Sequence, residues 1–325
     1  MKVRHFGLGL FTSSLVLLAG IGGAQAQSYP SKRITMIIPY PPTSVAYVLG
    51  KLLGDELQKR WGQPVVADSR VGAGGIVGYQ AALFAPADGY TLIYLSTANT
   101  ATPVFAKNQG VDPEKDFITV ASEAYTPYFL VMSGALPLNN MREVIAYAKA
   151  NPGKLNLAMH NNTWSHLSSL EIMAKFGIDM TMVPYAGGAT AMQAMLVNEA
   201  QLYTAGTLFG MADHIKSGRL KVLAILDDKR FPVYPDYPTM GSQTGVEMRN
   251  VAHTITQVRT GTPQPMVDKL AATIAEIYSD PVAADRVRKL AFEPSIQLQT
   301  EATRTVQRAY EHAREIARVA KLPVP

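Results

Sequence analysis

The sequence predicts an α/β protein of two lobes, each a mainly parallel sheet flanked by helices, joined by two extended crossings. Three features predict it. Short β-rich runs alternate with helix-period runs, the pattern of a doubly wound parallel sheet. The alternation passes through two rounds of similar size, with extended stretches near Tyr125 and Arg249 between them. The chain also has no cysteine, so apolar cores must hold its 325 residues, and 47% hydrophobic against 17% charged residues suits that.

Taken in order, ITMIIP at 34–39 is a β-rich run closed by a proline and reads as the first strand. Across 44–61, Val45, Val48, Leu49, Leu52, Leu53 and Leu57 recur at helical spacing, and Thr43 or Ser44 is placed to cap them. Residues 65–67 form a second strand, 75–84 a second helix and 91–95 a third strand. The second round opens on a largely extended run at 117–132, interrupted by Pro127. Asn139 or Asn140 then caps a helix that stops at Asn151-Pro152-Gly153.

Strands at 155–158, 180–183, 201–204 and 222–226 alternate with helices at 165–176, 189–198 and 208–217; Gly177 and Gly218 sit where helix-ending glycines belong. The Pro-, Asp-, Tyr- and Gly-rich stretch 231–245 is a surface connection, and 249–258 is extended again. Helices begin at Thr262-Pro263 and at Pro281. A long amphipathic helix at 300–319 carries Val306, Ala309, Ala313, Ile316 and Ala320 on one stripe. Lobe 1 therefore takes 27–125 and 249–325, and lobe 2 takes 126–248.

Lys2 and Arg4 precede an apolar run at 6–18, and Ala24-Gln25-Ala26 supplies the small residues a signal peptidase accepts. The expected cut near Ala26 makes 1–26 a signal peptide. It leaves 299 residues and lowers the formal charge from +5 to +3, because Lys2 and Arg4 go with it. The apolar run falls short of the roughly 20 residues of a membrane span. Basic residues are scattered among acids without interleaved aromatics, which argues against a nucleic-acid partner.

Ligands of such sheets sit beyond the carboxyl ends of the strands, where loops lead into helix N-termini. That nominates 40–44, 70–75, 96–99, 160–165, 184–188 and 204–207. The glycine run Gly72 to Gly75 does not complete a dinucleotide fingerprint, since Val77 stands where the last glycine belongs and no acidic residue follows at the right distance. It reads as a tight turn whose amides could hold a small anion. No G-x-S-x-G elbow and no H-E-x-x-H helix occurs, so neither a nucleophile nor a metal site is indicated, and no cofactor is expected. The most polar strand-to-helix junction is His160-Asn161-Asn162-Thr163-Trp164-Ser165-His166, where amides, hydroxyls and a helix start favour a carboxylate, with Thr163 also a plain helix cap. His166 supports that loop, and Trp164 is either core or a wall for a flat ligand.

Six stretches together resemble the Bug-type receptors of tripartite tricarboxylate transporters: YPSKRITMIIPYPP at 29–42, GQPVVADSRVGAGGIVG at 62–78, APADGYTL at 85–92, SHL at 165–167, MVPYAGGATAMQAML at 182–196 and HIKSGRLKVLAI at 214–225. The resemblance implies a periplasmic, two-lobed binding fold that closes as a monomer on a small organic carboxylate and hands it to a membrane permease. It implies that backbone amides and bridging waters hold the acid. Together with the junctions read above, it gives as candidate ligand contacts Tyr40, Thr43, Ser44 and Tyr47; Ser96, Thr97, Ala98 and Asn99; His160, Asn161, Asn162, Thr163 and Ser165; Tyr185, Ala186 and Gly187; and Thr204 and Thr207.

The first loop departs from the family's P-F-P-A-G-G-x-x-D. Pro42 lacks an N–H, Thr43 and Ser44 bring hydroxyls in place of glycines, and Tyr47 replaces the acid with a flat face. Asn161-Asn162 likewise stand where glycine is typical. An aromatic or otherwise rigid carboxylate, such as a phthalate isomer, is the expected ligand. The rival readings are an exported hydrolase reusing the fold and a ligand sensor for a signalling receptor.

Overall fold

The computed structural model describes residues 29–106 and 109–322; the expected signal peptide lies outside the described residues. Lobe 1 begins with β1 (Ile34–Ile38), α1 (Val45–Trp61), β2 (Val65–Ser69), α2 (Ile76–Leu83) and β3 (Thr91–Ser96). The β1 side chains are almost wholly buried, as expected of a parallel strand covered on both faces. Ser44 caps α1 by accepting the Tyr47 N–H, and Lys59 and Arg60 lie in the last turn, where the helix dipole favours cations. A 3-10 turn at Thr97–Ala101 and the short α3 (Thr102–Phe105) follow β3.

Lobe 2 holds β5 (Phe129–Ser133), α4 (Met141–Ala150), β6 (Asn156–Met159), α5 (Trp164–Phe176), β7 (Thr181–Pro184), α6 (Gly188–Leu196), β8 (Leu202–Ala205), α7 (Ala212–Lys216), β9 (Leu220–Ile225) and α8 (Met240–Thr244). Long β4 (Phe117–Pro127) leads into it. The chain returns through β10 (Val251–Arg259), α9 (Gln264–Ser279), α10 (Pro281–Lys289), β11 (Glu293–Leu298) and α11 (Gln299–Val319) to lobe 1. No helix among the described residues is long and apolar enough to cross a membrane.

The six-stranded sheet has the order β11-β4-β10-β3-β1-β2 and the five-stranded sheet β7-β6-β8-β5-β9. The βα rounds give parallel pairs, β1 with β2 and β3, and β6 with β7 and β8. The strands next to the crossings run the other way: β10 is antiparallel to β3 and β4, and β5 is antiparallel to β8 and β9. Both sheets are therefore mixed, because a strand returning from the other lobe enters against the direction of the rounds.

Three segments cross-bond where the lobes meet. The Tyr128 N–H donates to the Asn250 carbonyl (2.7 Å), Asn250 N–H to Leu226 (2.7 Å), and Leu226 N–H to Tyr128 (2.8 Å), a closed ring of backbone bonds. The Asn250 side chain, fully buried, accepts from Trp164 Nε1 (3.1 Å) and donates to Glu171 Oε2 (2.7 Å). Glu171 also pairs with Lys175, and His312 of α11 lies 3.8 Å away. Buried side chains of α11 join those of α5 and β5 in one apolar cluster that spans both lobes.

Several local expectations shift. The helix expected at 208–217 survives only as α7, because the backbone is left-handed at Gly210 (φ +80°) and 208–211 forms a turn. β11 and the Thr97–Phe105 turns have no counterpart in the sequence pattern. Along α11 the buried stripe is Ala302, Val306, Tyr310, Ala313, Ile316 and Ala317, with Ala309 and Ala320 only half-buried.

Candidate functional site

A cleft of about 810 Å³ runs between the lobes. One wall comes from the loops after β1, β2 and β3, the other from the loops after β6, β7 and β8, and Thr126, Tyr128, Ala252 and Thr254 line it from the crossing strands. The carboxyl ends of six strands thus meet around one space. No Lys, Arg, Asp or Glu is among the residues lining it.

Positive potential comes instead from the backbone. The first turns of α1, α2, α5 and α6 all lie at the cleft wall, at Ser44-Val45, Gly75, Thr163 and Gly187-Gly188. Thr163 occupies the cap position of α5, yet its hydroxyl donates to the His160 carbonyl (2.8 Å) and does not cap the helix. α2 likewise has no side-chain cap. Each helix start favours an anion by about 0.3–1 kcal/mol, more where partly buried.

The lobe 1 wall is wired together by Asn99 and Tyr40. Tyr40 donates its hydroxyl to Asn99 Oδ1 and accepts the Ser96 N–H (3.1 Å), while Asn99 Nδ2 donates to the Gly74 carbonyl (2.6 Å). Thr102 Oγ1 donates to the same carbonyl (3.0 Å). Three loops are thereby fixed relative to one another. The glycine turn needs its glycines: Gly74 and Gly75 have φ of +64° and +102°, and a Cβ on Gly75 would stand 2.6 Å from Asn99 Nδ2. Burial drives the Tyr40 phenol well above its ordinary pKa, so it stays a neutral donor.

In lobe 2, Ser165 Oγ donates to the Thr204 carbonyl (2.7 Å) and lies 2.9 Å from Thr204 Oγ1, which Ser169 Oγ also meets at 2.8 Å. His160 Nε2 lies 3.3 Å from the Tyr203 hydroxyl, and burial holds its pKa below the usual histidine value, so the ring is neutral near pH 7. No cleft serine is paired with a histidine. The one serine–histidine side-chain bond among the described residues joins Ser122 and His253 (3.3 Å), which do not line the cleft. This arrangement can bind and orient an acid, but it offers no nucleophile–base pair.

Thirteen residues nominated from the sequence line the cleft: Tyr40, Thr43, Ser44, Ser96, Ala98, Asn99, His160, Asn162, Thr163, Ser165, Ala186, Gly187 and Thr207. Five do not. Tyr47 sits one helical rotation past the loop and faces grooves beside Lys51 and Asp55. Thr97 is buried, its hydroxyl accepting the His253 N–H (2.9 Å). Thr204 is buried beneath the start of α5. Tyr185 packs against the lobe 2 core, and Asn161 points to solvent beside Asn162, whose φ of +56° turns the chain. Trp164 is core, and His166 stacks on Phe105 of lobe 1 at 4.9 Å.

Val71, within the nominated stretch 70–75, and Phe209, close to the nominated 204–207 loop, also line the cleft, together with Met192, Tyr203 and Phe292, which the sequence did not mark. Alternation and spacing mark such side chains as core, and only the meeting of the two lobes brings them to one space.

A family model described as "Tripartite tricarboxylate transporter family receptor" matches residues 49–322. The chain is 31% identical over 291 residues to a UPF0065 protein of Bordetella bronchiseptica, covering 87% of this chain and 84% of that protein. Among solved structures it is similar to the periplasmic binding protein BugD, with TM-score 0.77 and 26% identity over 90% of this chain and 99% of that one. An R. palustris protein solved with adipate superposes with TM-score 0.81 at 24% identity, covering 90% of this chain and 98% of that one.

Proposed function

The chain belongs to the tripartite tricarboxylate transporter receptor family, and from that premise we propose that it captures a small organic carboxylate between its lobes and delivers it, as a monomer, to a tripartite tricarboxylate-type permease. Receptors of this family are periplasmic solute-binding proteins and not enzymes. Removal of the leader near Ala26 belongs to the same proposal.

The observation that carries the reading is a cleft without fixed charge on which four helix starts converge. An isolated carboxylate is costly to desolvate unless hydrogen bonds replace its water. Amides and hydroxyls on both walls supply donors of that kind, so binding strengthens when the lobes approach and water leaves. An ammonium group finds no carboxylate partner among the lining residues, which disfavours amino acids.

The ligand body is an aromatic or otherwise rigid acid, a phthalate isomer being the type case. Tyr47 cannot supply the flat face that its position in the sequence suggested, since it lies outside the cleft; Phe209, exposed at the cleft wall, offers such a face. A thermal-shift panel of phthalate isomers, adipate, malate, citrate and amino acids tests the proposal. A ligand at a hundredfold excess over its Kd adds about 2.7 kcal/mol, which is a shift of a few degrees. Phthalate isomers are expected to raise Tm. A response only to citrate or amino acids defeats the aromatic reading, and no response to any acid defeats the carboxylate reading.

A further inference from the structure

Two large apolar side chains lining the cleft are more than half exposed, Phe209 from lobe 2 and Val71 from lobe 1, each at 54%. The backbone that carries Phe209 is anchored. The residues around it, Leu208 and Met211, are 2% and 3% exposed and anchored in the lobe 2 core. Its own N–H donates to Thr207 Oγ1 (3.1 Å), Met211 N–H donates to the Leu208 carbonyl (3.0 Å), and Gly210 in the left-handed region turns the chain between them. The turn is thus hydrogen-bonded on both sides, and its aromatic ring borders the space where the ligand is proposed to lie. A phenyl ring left in water is unfavourable, and closing over an apolar ligand segment removes that cost.

We infer that Phe209 is a specificity-determining residue that covers the apolar body of the bound acid when the lobes close, with Val71 on the facing wall. The inference rests on the carboxylate reading above and narrows it: the site selects acids with a ring or an alkyl segment over compact, hydroxyl-rich acids. The lining supports that choice, since Met192 and Met211 also border the cleft. A ligand hydroxyl set directly against these side chains would lose water without gaining a hydrogen bond there.

The test is calorimetric titration of the full mature chain and its Phe209→Ala and Phe209→Leu variants with terephthalate, adipate and malate. Because Phe209 is exposed, both variants retain the fold, which circular dichroism checks. Phe209→Ala is expected to weaken terephthalate and adipate about tenfold or more, while Phe209→Leu restores most of that affinity. Malate, bound weakly by the wild type, changes less than about twofold. Equal weakening of all three acids, or no change in any, overturns the assignment of Phe209. If the wild type binds none of the three, this inference fails, and the carboxylate reading falls with it only where the thermal-shift panel also shows no response to any acid; if it binds them and Phe209→Ala makes no difference, only the inference fails.

Discussion

Replacing Glu123 by glutamine should stabilise the protein above neutral pH and leave it almost unchanged in acid. Glu123 lies on β4 in the lobe 1 core, fully buried, and its two carboxyl oxygens make no hydrogen bond of normal geometry. Burial raises its pKa from 4.5 to about 7, and the neighbouring Thr256 and Thr254 hydroxyls offset only part of that. Between those values the folded chain keeps the proton and the unfolded chain releases it. The stability contribution of Glu123 is therefore fully present below pH 4.5 and is lost as pH rises through about 7. The gap corresponds to about 3 kcal/mol, a large share of the stability of most domains.

A neutral amide at this position would carry no such penalty. Urea unfolding at pH 5, 6, 7 and 8 should show a small difference between Glu123→Gln and wild type at pH 5, widening to about 3 kcal/mol in favour of the variant at pH 8. Comparing the two chains at each pH cancels every other titrating group. Parallel stability curves, or a gap that widens toward acid, would refute the assignment of a buried, proton-holding carboxyl.

His253 should act in the opposite direction: burial and then the nearby Arg308 lower its pKa to about 4, so its contribution is present above its ordinary value and is lost as pH falls toward 4. His253→Asn should flatten the acid limb of the same urea series, and an unchanged acid limb would count against it. Asn250→Ala should cost about 2–4 kcal/mol in unfolding free energy, since it strips Glu171 and Trp164 Nε1 of buried partners at the crossing; a loss below about 1 kcal/mol would contradict the pinning role. Gly75→Ala should cost about 1–3 kcal/mol from the left-handed backbone and the Asn99 contact, and should weaken acid binding measured by titration, whereas wild-type affinity would argue that the glycine turn stands apart from the ligand.

The βα rounds were legible because buried parallel strands are continuous apolar runs, and glycine and proline punctuate the turns between them. β11 was hidden: Glu293 to Leu298 carries Pro294 and is half-buried throughout, so it shows neither an apolar run nor an alternation. The Thr97–Ala101 turn is a polar string stabilised by Ser96 and Asn99 acting on each other's backbone, a pattern that sequence periodicity does not detect. Polar loop residues proved a mixed guide. Asn99 and Thr163 line the cleft, but Thr97 and Thr204 turn inward to satisfy buried backbone and hydroxyl groups that only the folded chain creates. Phe209, close to the nominated 204–207 loop, was the reverse case: the sequence placed it in a helix at 208–217, and it stands exposed on a turn instead.

Calorimetric titration of the mature chain with a phthalate isomer, followed by recovery and analysis of the acid, tests the carboxylate-capturing cleft most directly. One acid is expected to bind per chain, to be lost on unfolding and to be recovered chemically unchanged. Binding at a surface outside the cleft, left intact by Gly75→Ala and Phe209→Ala together, or an acid returned as a cleaved product, would contradict it.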